Sequence, residues 1–87
     1  MKIHYIGQFV KHFKKRIKPH PDLTNRFHER VDLFIKSPKE PVSRDHQLKG
    51  KKQALRTFSI TGDIRIVYFT EKDVAYFVDV GTHNQVY

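Results

Sequence analysis

The chain has 87 residues, no cysteine and a formal net charge of +8. That length suits one small domain, and disulfides and thiolate metal clusters are excluded as its supports. Residues 1–52 carry 14 Lys/Arg against 5 Asp/Glu, whereas residues 53–87 carry 3 against 4, so the positive field belongs to the first part of the chain and a polyanionic partner is expected.

Lys2–Ile6 alternates and predicts a short first strand, which Gly7 breaks. Nothing in this N-terminal stretch is a continuous apolar run, so neither a signal peptide nor a membrane span is expected, and the chain reads as a cytoplasmic protein. From Gln8, Phe9, Phe13 and Ile17 fall at i, i+4, i+8 and mark one face of a helix, with Lys11, Lys14, Lys15, Arg16 and Lys18 on the other. Pro19 and Pro21 end that helix, and Pro21 or Asp22 opens a second one along Leu23, Phe27, Val31, Phe34 and Ile35. It should stop before Pro38, because the residue ahead of a proline resists helical geometry. The two stripes of this helical hairpin need a sheet to lie on.

Lys39–Arg44 reads as a polar connection, Asp45–Leu48 as a short extended segment, and Lys49, Lys51 and Lys52 as a basic run around Gly50. Three β segments then follow: Gln53–Thr61, Asp63–Thr70 after the turn at Gly62-Asp63, and Val74–Gly81 after the turn at Glu71-Lys72-Asp73. Strict alternation points Phe58, Ile60, Ile64, Ile66, Tyr68, Val74, Tyr76, Val78 and Val80 at the helices. It points Thr57, Ser59, Arg65, Val67, Phe69, Ala75, Phe77 and Asp79 the other way, onto a more polar face, where Arg65 and Asp79 are placed to pair. Arg56 falls on the helix side, which a snorkelling side chain would resolve. The expected fold class is α+β, one domain over residues 1–87.

His46 lies just before this sheet and His83 just after it, and histidine exchanges protons near neutrality. Arg65 suits a phosphate, Tyr87 a stacked base, and the three lysines a nucleic-acid backbone. Two proton-transfer groups, a phosphate clamp and a stacking ring meet the needs of metal-free RNA cleavage. The duller alternatives are a turn residue for each histidine, a solvated sheet arginine, a packing cap for Tyr87 and a solvated lysine loop. His4, His12, His20 and His28 are evenly spaced but fall on different elements, so the spacing reads as coincidence. No metal-ligand spacing, P-loop or dinucleotide fingerprint is present, and no cofactor is expected.

The segments His46-Gln47-Leu48-Lys49-Gly50, Gly62-Asp63-Ile64-Arg65-Ile66-Val67-Tyr68 and Gly81-Thr82-His83, with a terminal aromatic, resemble the RelE/ParE superfamily of bacterial toxins, and most of all its YafQ-type mRNA interferases. The resemblance covers nearly the whole chain. It implies a RelE-like fold: an N-terminal strand, a two-helix hairpin, and antiparallel strands packed on the helices. It also implies a ribosome-dependent mRNA endonuclease of a type II toxin–antitoxin system. Its partners would be the ribosome, mRNA and a cognate antitoxin with an acidic helical tail, with operator DNA reached only through the antitoxin complex. His46, Asp63, His83 and Tyr87 match catalytic positions of the YafQ type, and Arg65 matches an arginine that RelE- and YoeB-like members use near the scissile phosphate. Where the YafQ type has a further histidine this chain has Ser59, Asp79 stands for an arginine on the last strand, and Ile64 for an aromatic. Rival readings are a ParE-like inhibitor of DNA gyrase and a catalytically weakened RelE-fold binder.

Overall fold

The computed structural model describes residues 1–37, 45–47 and 55–86. The elements are β1 (Lys2–Tyr5), α1 (Gly7–Arg16), α2 (Pro21–Lys36), β2 (His46–Gln47), β3 (Arg56–Ser59), β4 (Ile64–Glu71), β5 (Val74–Thr82) and α3 (His83–Val86). The expected α+β order holds, including the two helices, the short β2 and the β3–β4–β5 meander. The expected connection at 39–44 lies outside the described residues.

One feature of the expected sheet needs correction. Its strands run in the order β1-β5-β4-β3-β2, and β1 pairs with β5 in parallel, so the sheet is mixed rather than antiparallel throughout. The chain returns to β1 only through its last strand. The pairing ends with the Ile6 N–H donating to the Phe77 carbonyl (3.0 Å), and the chain turns straight into α1.

Helix α1 starts without a side-chain cap and ends on Lys14, Lys15 and Arg16, cations that suit the partial negative charge of a helix C-terminus. Pro21 occupies the first turn of α2, where its missing N–H costs nothing, and Asp22 beside it suits that end of the dipole. Both apolar stripes face the core, except that Ile35 at the end of the second is exposed and Phe13 and Leu23 are only partly buried. Phe9 and Ile17 of the first and Phe27, Val31 and Phe34 of the second join Phe58, Ile60, Ile66, Tyr68, Ala75, Phe77 and Val80 in one core. Phe34 stacks on Phe58 with ring centroids 4.5 Å apart, and Phe13 meets Phe27 at 4.8 Å, locking α1 to α2.

The faces of β5 depart from strict alternation. Val67 pairs with Asp79 but Tyr68 pairs with Phe77, which leaves Val78 as an extra residue, a β-bulge. The bulge inverts the parity of the strand's first half. Ala75 and Phe77 therefore enter the helix-side core, and Tyr76 turns out to stack on Phe69 at 4.8 Å. Val78 joins Val67, Val86 and Leu55 in a second cluster on the other face. The assignments of Val74, Tyr76 and Val78 to the helix side, and of Ala75 and Phe77 away from it, are thus reversed, while Val80 keeps its expected place. That other face is also less open than its polar composition suggests, because Val86 of α3 packs on it and Thr57 and Ser59 are buried.

Candidate functional site

The pairing register arranges the second face in rows. His46 opposes Thr57, Thr57 opposes Val67, and Val67 opposes Asp79. One row along, Ser59 opposes Arg65 and Arg65 opposes Gly81. Directly opposed residues share a face, so His46 and Arg65 lie on the same side of the sheet, on different strands and different rows. Asp63 and His83 each stand one residue beyond the Ile64–Thr82 pair, at the Arg65 end. Arg65, Asp63 and His83 are therefore gathered at one end, with His46 exposed at the β2 edge. Lys49, Lys51, Lys52 and Tyr87 lie outside the described residues.

Local chemistry fixes the hairpin that carries Asp63. The Thr61 hydroxyl accepts from the backbone N–H groups of Asp63 (3.2 Å) and Ile64 (3.1 Å), while the Ile60 N–H donates to the Ile64 carbonyl (2.8 Å). The turn's backbone is satisfied without the Asp63 carboxylate, which stays exposed.

Helix α3 begins at His83, and Gln85 Oε1 accepts from the Thr82 backbone N–H at 2.8 Å. Thr82-His83-Asn84-Gln85 has the spacing of a capping box, and this is its returning half. That spacing is legible in the sequence and would have turned the expected tail into a helix. Gly81 lets the helix fold so close: a Cβ there would lie 2.6 Å from Gln85 Oε1 and 2.8 Å from Arg16 Nη1.

Beside Arg65 the face is polar and unsatisfied. The Thr57 and Ser59 hydroxyls and Arg65 Nε are buried with no hydrogen-bond partner among the described residues. Arg65 does not pair with Asp79. The Asp79 carboxylate turns instead to α1, where Oδ1 lies 2.6 Å from His12 Nδ1 and 3.5 Å from Arg16 Nη1 and accepts from the Val80 N–H at 2.8 Å. Arg16 also donates to the Val80 carbonyl (2.9 Å), on the stretch of β5 beyond its pairing with β1. His12 could not be found from the sequence, since nothing local ties a helix residue to a strand residue 67 positions away.

His46 is held through its neighbour. Asp45, its side chain 5 % exposed, accepts a fork from Arg56, with Nε at 2.7 Å, and a further bond from the Tyr68 hydroxyl. Arg56 thus reaches toward the edge strand, and the guanidinium is held above its ordinary value chiefly by that hydrogen bond to Asp45. Burial, then the Asp45 hydrogen bond and charge, raise the Tyr68 phenol well above its usual range. Below pH 10 that phenol is neutral in both folded and unfolded chains, so its contribution is complete. Above pH 10 the unfolded chain releases the proton while the folded one keeps it, and stability falls with rising pH. Urea denaturation between pH 8 and 11.5 should show a steeper loss for the intact chain than for Tyr68→Phe. Equal slopes would mean the phenol is not perturbed by folding.

Among the described residues no helix is long and apolar enough to cross a membrane. The profile of the YafQ family, bacterial toxins of type II toxin–antitoxin systems, matches residues 1–87. The chain belongs to that family. No curated protein matches it significantly. Among solved structures it is similar to YafQ from E. coli strain BL21(DE3), at 27 % identity over 99 % of this chain and 97 % of that one, with a TM-score of 0.83. YafQ in the E. coli DinJ–YafQ complex matches at 27 % identity over 99 % and 97 % of the two chains, with a TM-score of 0.81. A YoeB/ParE toxin from Agrobacterium tumefaciens shares the fold at 14 % identity over 95 % and 99 %, with a TM-score of 0.79. This YafQ-family toxin therefore has the RelE-like architecture its sequence resembled.

Proposed function

We propose that this toxin is a ribosome-dependent mRNA endonuclease, restrained by a cognate antitoxin with an acidic helical tail. The observation that carries the reading is Arg65. Its Nε and the Ser59 hydroxyl opposite it are buried without partners among the described residues, beside Asp63 and His83. Buried polar groups rarely stay unpaired; Arg65 itself is only half-buried, so its cation can meet a phosphodiester whose phosphorus then lies near groups able to exchange protons.

In the reaction the ribose 2′-OH attacks the adjacent phosphorus, and the bond to the 5′-oxygen of the next nucleotide breaks. One group takes the 2′-OH proton and another protonates the leaving oxygen, which yields a 2′,3′-cyclic phosphate and a 5′-hydroxyl. His46 and His83 are the proposed proton carriers, with Asp63 assisting at the His83 end. Arg65 meets the charge that develops on the phosphoryl oxygens. Lys49, Lys51, Lys52 and Tyr87 are proposed to hold and stack the RNA strand. The basic first half of the chain would supply salt-sensitive docking to ribosomal RNA. Positioning provides much of the rate of such a reaction, which gives the ribosome its role: it presents the mRNA in register. Antitoxin restraint is supported by the complex that the related E. coli YafQ forms with DinJ.

The test is induction in growing bacteria, with mRNA ends mapped. The intact chain should cleave mRNA and arrest translation. Arg65→Ala should lose about 10²–10³-fold in cleavage and His83→Ala about 10²-fold or more, with folding preserved. DNA damage with intact mRNA would replace this reading with gyrase inhibition, and a folded chain without effect would leave only a binding role.

A further inference from the structure

A cleft of ≈ 430 Å³ opens on the second face, beside the Arg65 row and under α3. Among the described residues its apolar lining is Val67, Val78, Leu55 and Val86, and its polar groups include Gln8, Asn84 and Asp79. Asp79 sets its chemistry. Oδ1 is occupied by His12 and the Val80 N–H, while Oδ2 carries no hydrogen bond among the described residues, and the side chain is only 12 % exposed. The cleft thus combines aliphatic side chains, the side-chain amides of Gln8, Asn84 and Gln85, and the Asp79 carboxylate.

A flat, uncharged heterocycle bearing N–H donors suits this mixture of aliphatic side chains, amides and one carboxylate. We propose that it is a nucleobase subsite, and that Asp79 selects bases carrying an exocyclic amino group, adenine, cytosine or guanine, over uracil. The inference rests on the RNA reading above. The amino group would donate to Asp79 Oδ2, as amino groups of bases donate to carboxylates elsewhere. Uracil offers its N–H only between two carbonyl oxygens, whose lone pairs would face the carboxylate. The spacing fits a nucleotide: Val67 and Arg65 lie two residues apart on one face of β4, about 7 Å along the strand. A base on Val67 therefore leaves its own or the neighbouring phosphate within reach of Arg65. His12 and Arg16 hold the carboxylate in place, so Asp79, which stands where the YafQ type has an arginine, becomes a specificity determinant of this chain.

The test is NMR titration of the free protein with AMP, CMP, GMP, UMP and ribose 5-phosphate. The three amino-bearing nucleotides should shift the Gln8 and Asn84 side-chain amides and the Val67 and Val78 methyls, at concentrations about tenfold below UMP. Asp79→Asn should erase that preference. Asn84→Ala, which leaves the His12 contact alone, should weaken binding of the same three nucleotides. Equal shifts from all four nucleotides, shifts from ribose 5-phosphate alone, or no shifts at these residues would overturn the subsite. Cleavage mapped in cells without any such shifts would sink the subsite and leave the endonuclease standing; base-selective shifts without cleavage would do the reverse.

Discussion

Phe77→Ala should cost about 4 kcal/mol of unfolding free energy, measured by urea denaturation, out of roughly 5–10 kcal/mol for a domain of this size. Phe77 is wholly buried, and its ring contacts Tyr5, Phe9, Phe34, Phe58 and Tyr68. It joins the aromatic cluster over β1 and α1 to the one under α2, and the cavity left by truncation would open between them. Tyr76→Ala is the control. Tyr76 stacks on Phe69 across the other face, is half-buried, and should cost only about 1 kcal/mol. Strict alternation along β5 orders these two the other way. A larger loss from Tyr76→Ala than from Phe77→Ala would refute the bulge.

Gly81→Ala should abolish most activity while leaving the fold. The added methyl would meet Gln85 Oε1 at 2.6 Å, Arg16 Nη1 at 2.8 Å and Gln85 Cβ at 3.0 Å. The first two are ends of flexible side chains, yet both are engaged, Gln85 with the Thr82 N–H and Arg16 with the Val80 carbonyl. The third belongs to α3 close to its backbone, so relief requires the helix to move and His83 to move with it. Movement at a reacting group lowers the rate, by on the order of 10²-fold for about 1 Å, and loss of the cap costs about 1 kcal/mol of stability. In the proposed reaction, mapped mRNA cleavage should fall by up to that factor, with the denaturation midpoint lowered only by the equivalent of about 1 kcal/mol. Cleavage equal to that of the intact chain would show that α3 need not dock tightly for the site to work.

The contrast between Phe77 and Tyr76 shows where the sequence stops being legible. The helices were readable because Phe9, Phe13 and Ile17, and Phe27, Val31 and Phe34, repeat at helical spacing with charge opposite. The Asp63 hairpin was readable because Thr61, Gly62 and Asp63 carry their own turn chemistry. Val78 was not, since an inserted residue among valines and aromatics leaves no compositional trace and only the partner strand reveals it. The parallel union of β1 with β5 is likewise a choice of partner. At the site, local motifs brought out Asp63, Arg65 and His83, and the register places them at one end of the sheet. The ties of Asp45 to Tyr68 and of His12 to Asp79 span the fold and required it.

The late pairing of β1 has a consequence for synthesis. Lys2–Tyr5 is made some seventy residues before its partner Val74–Phe77. Most of the chain must emerge before its opening segment gains a neighbour, a closure across nearly the whole length that slows folding. Until β5 has emerged, β1 has no strand to pair with, and the sheet stays open along that edge.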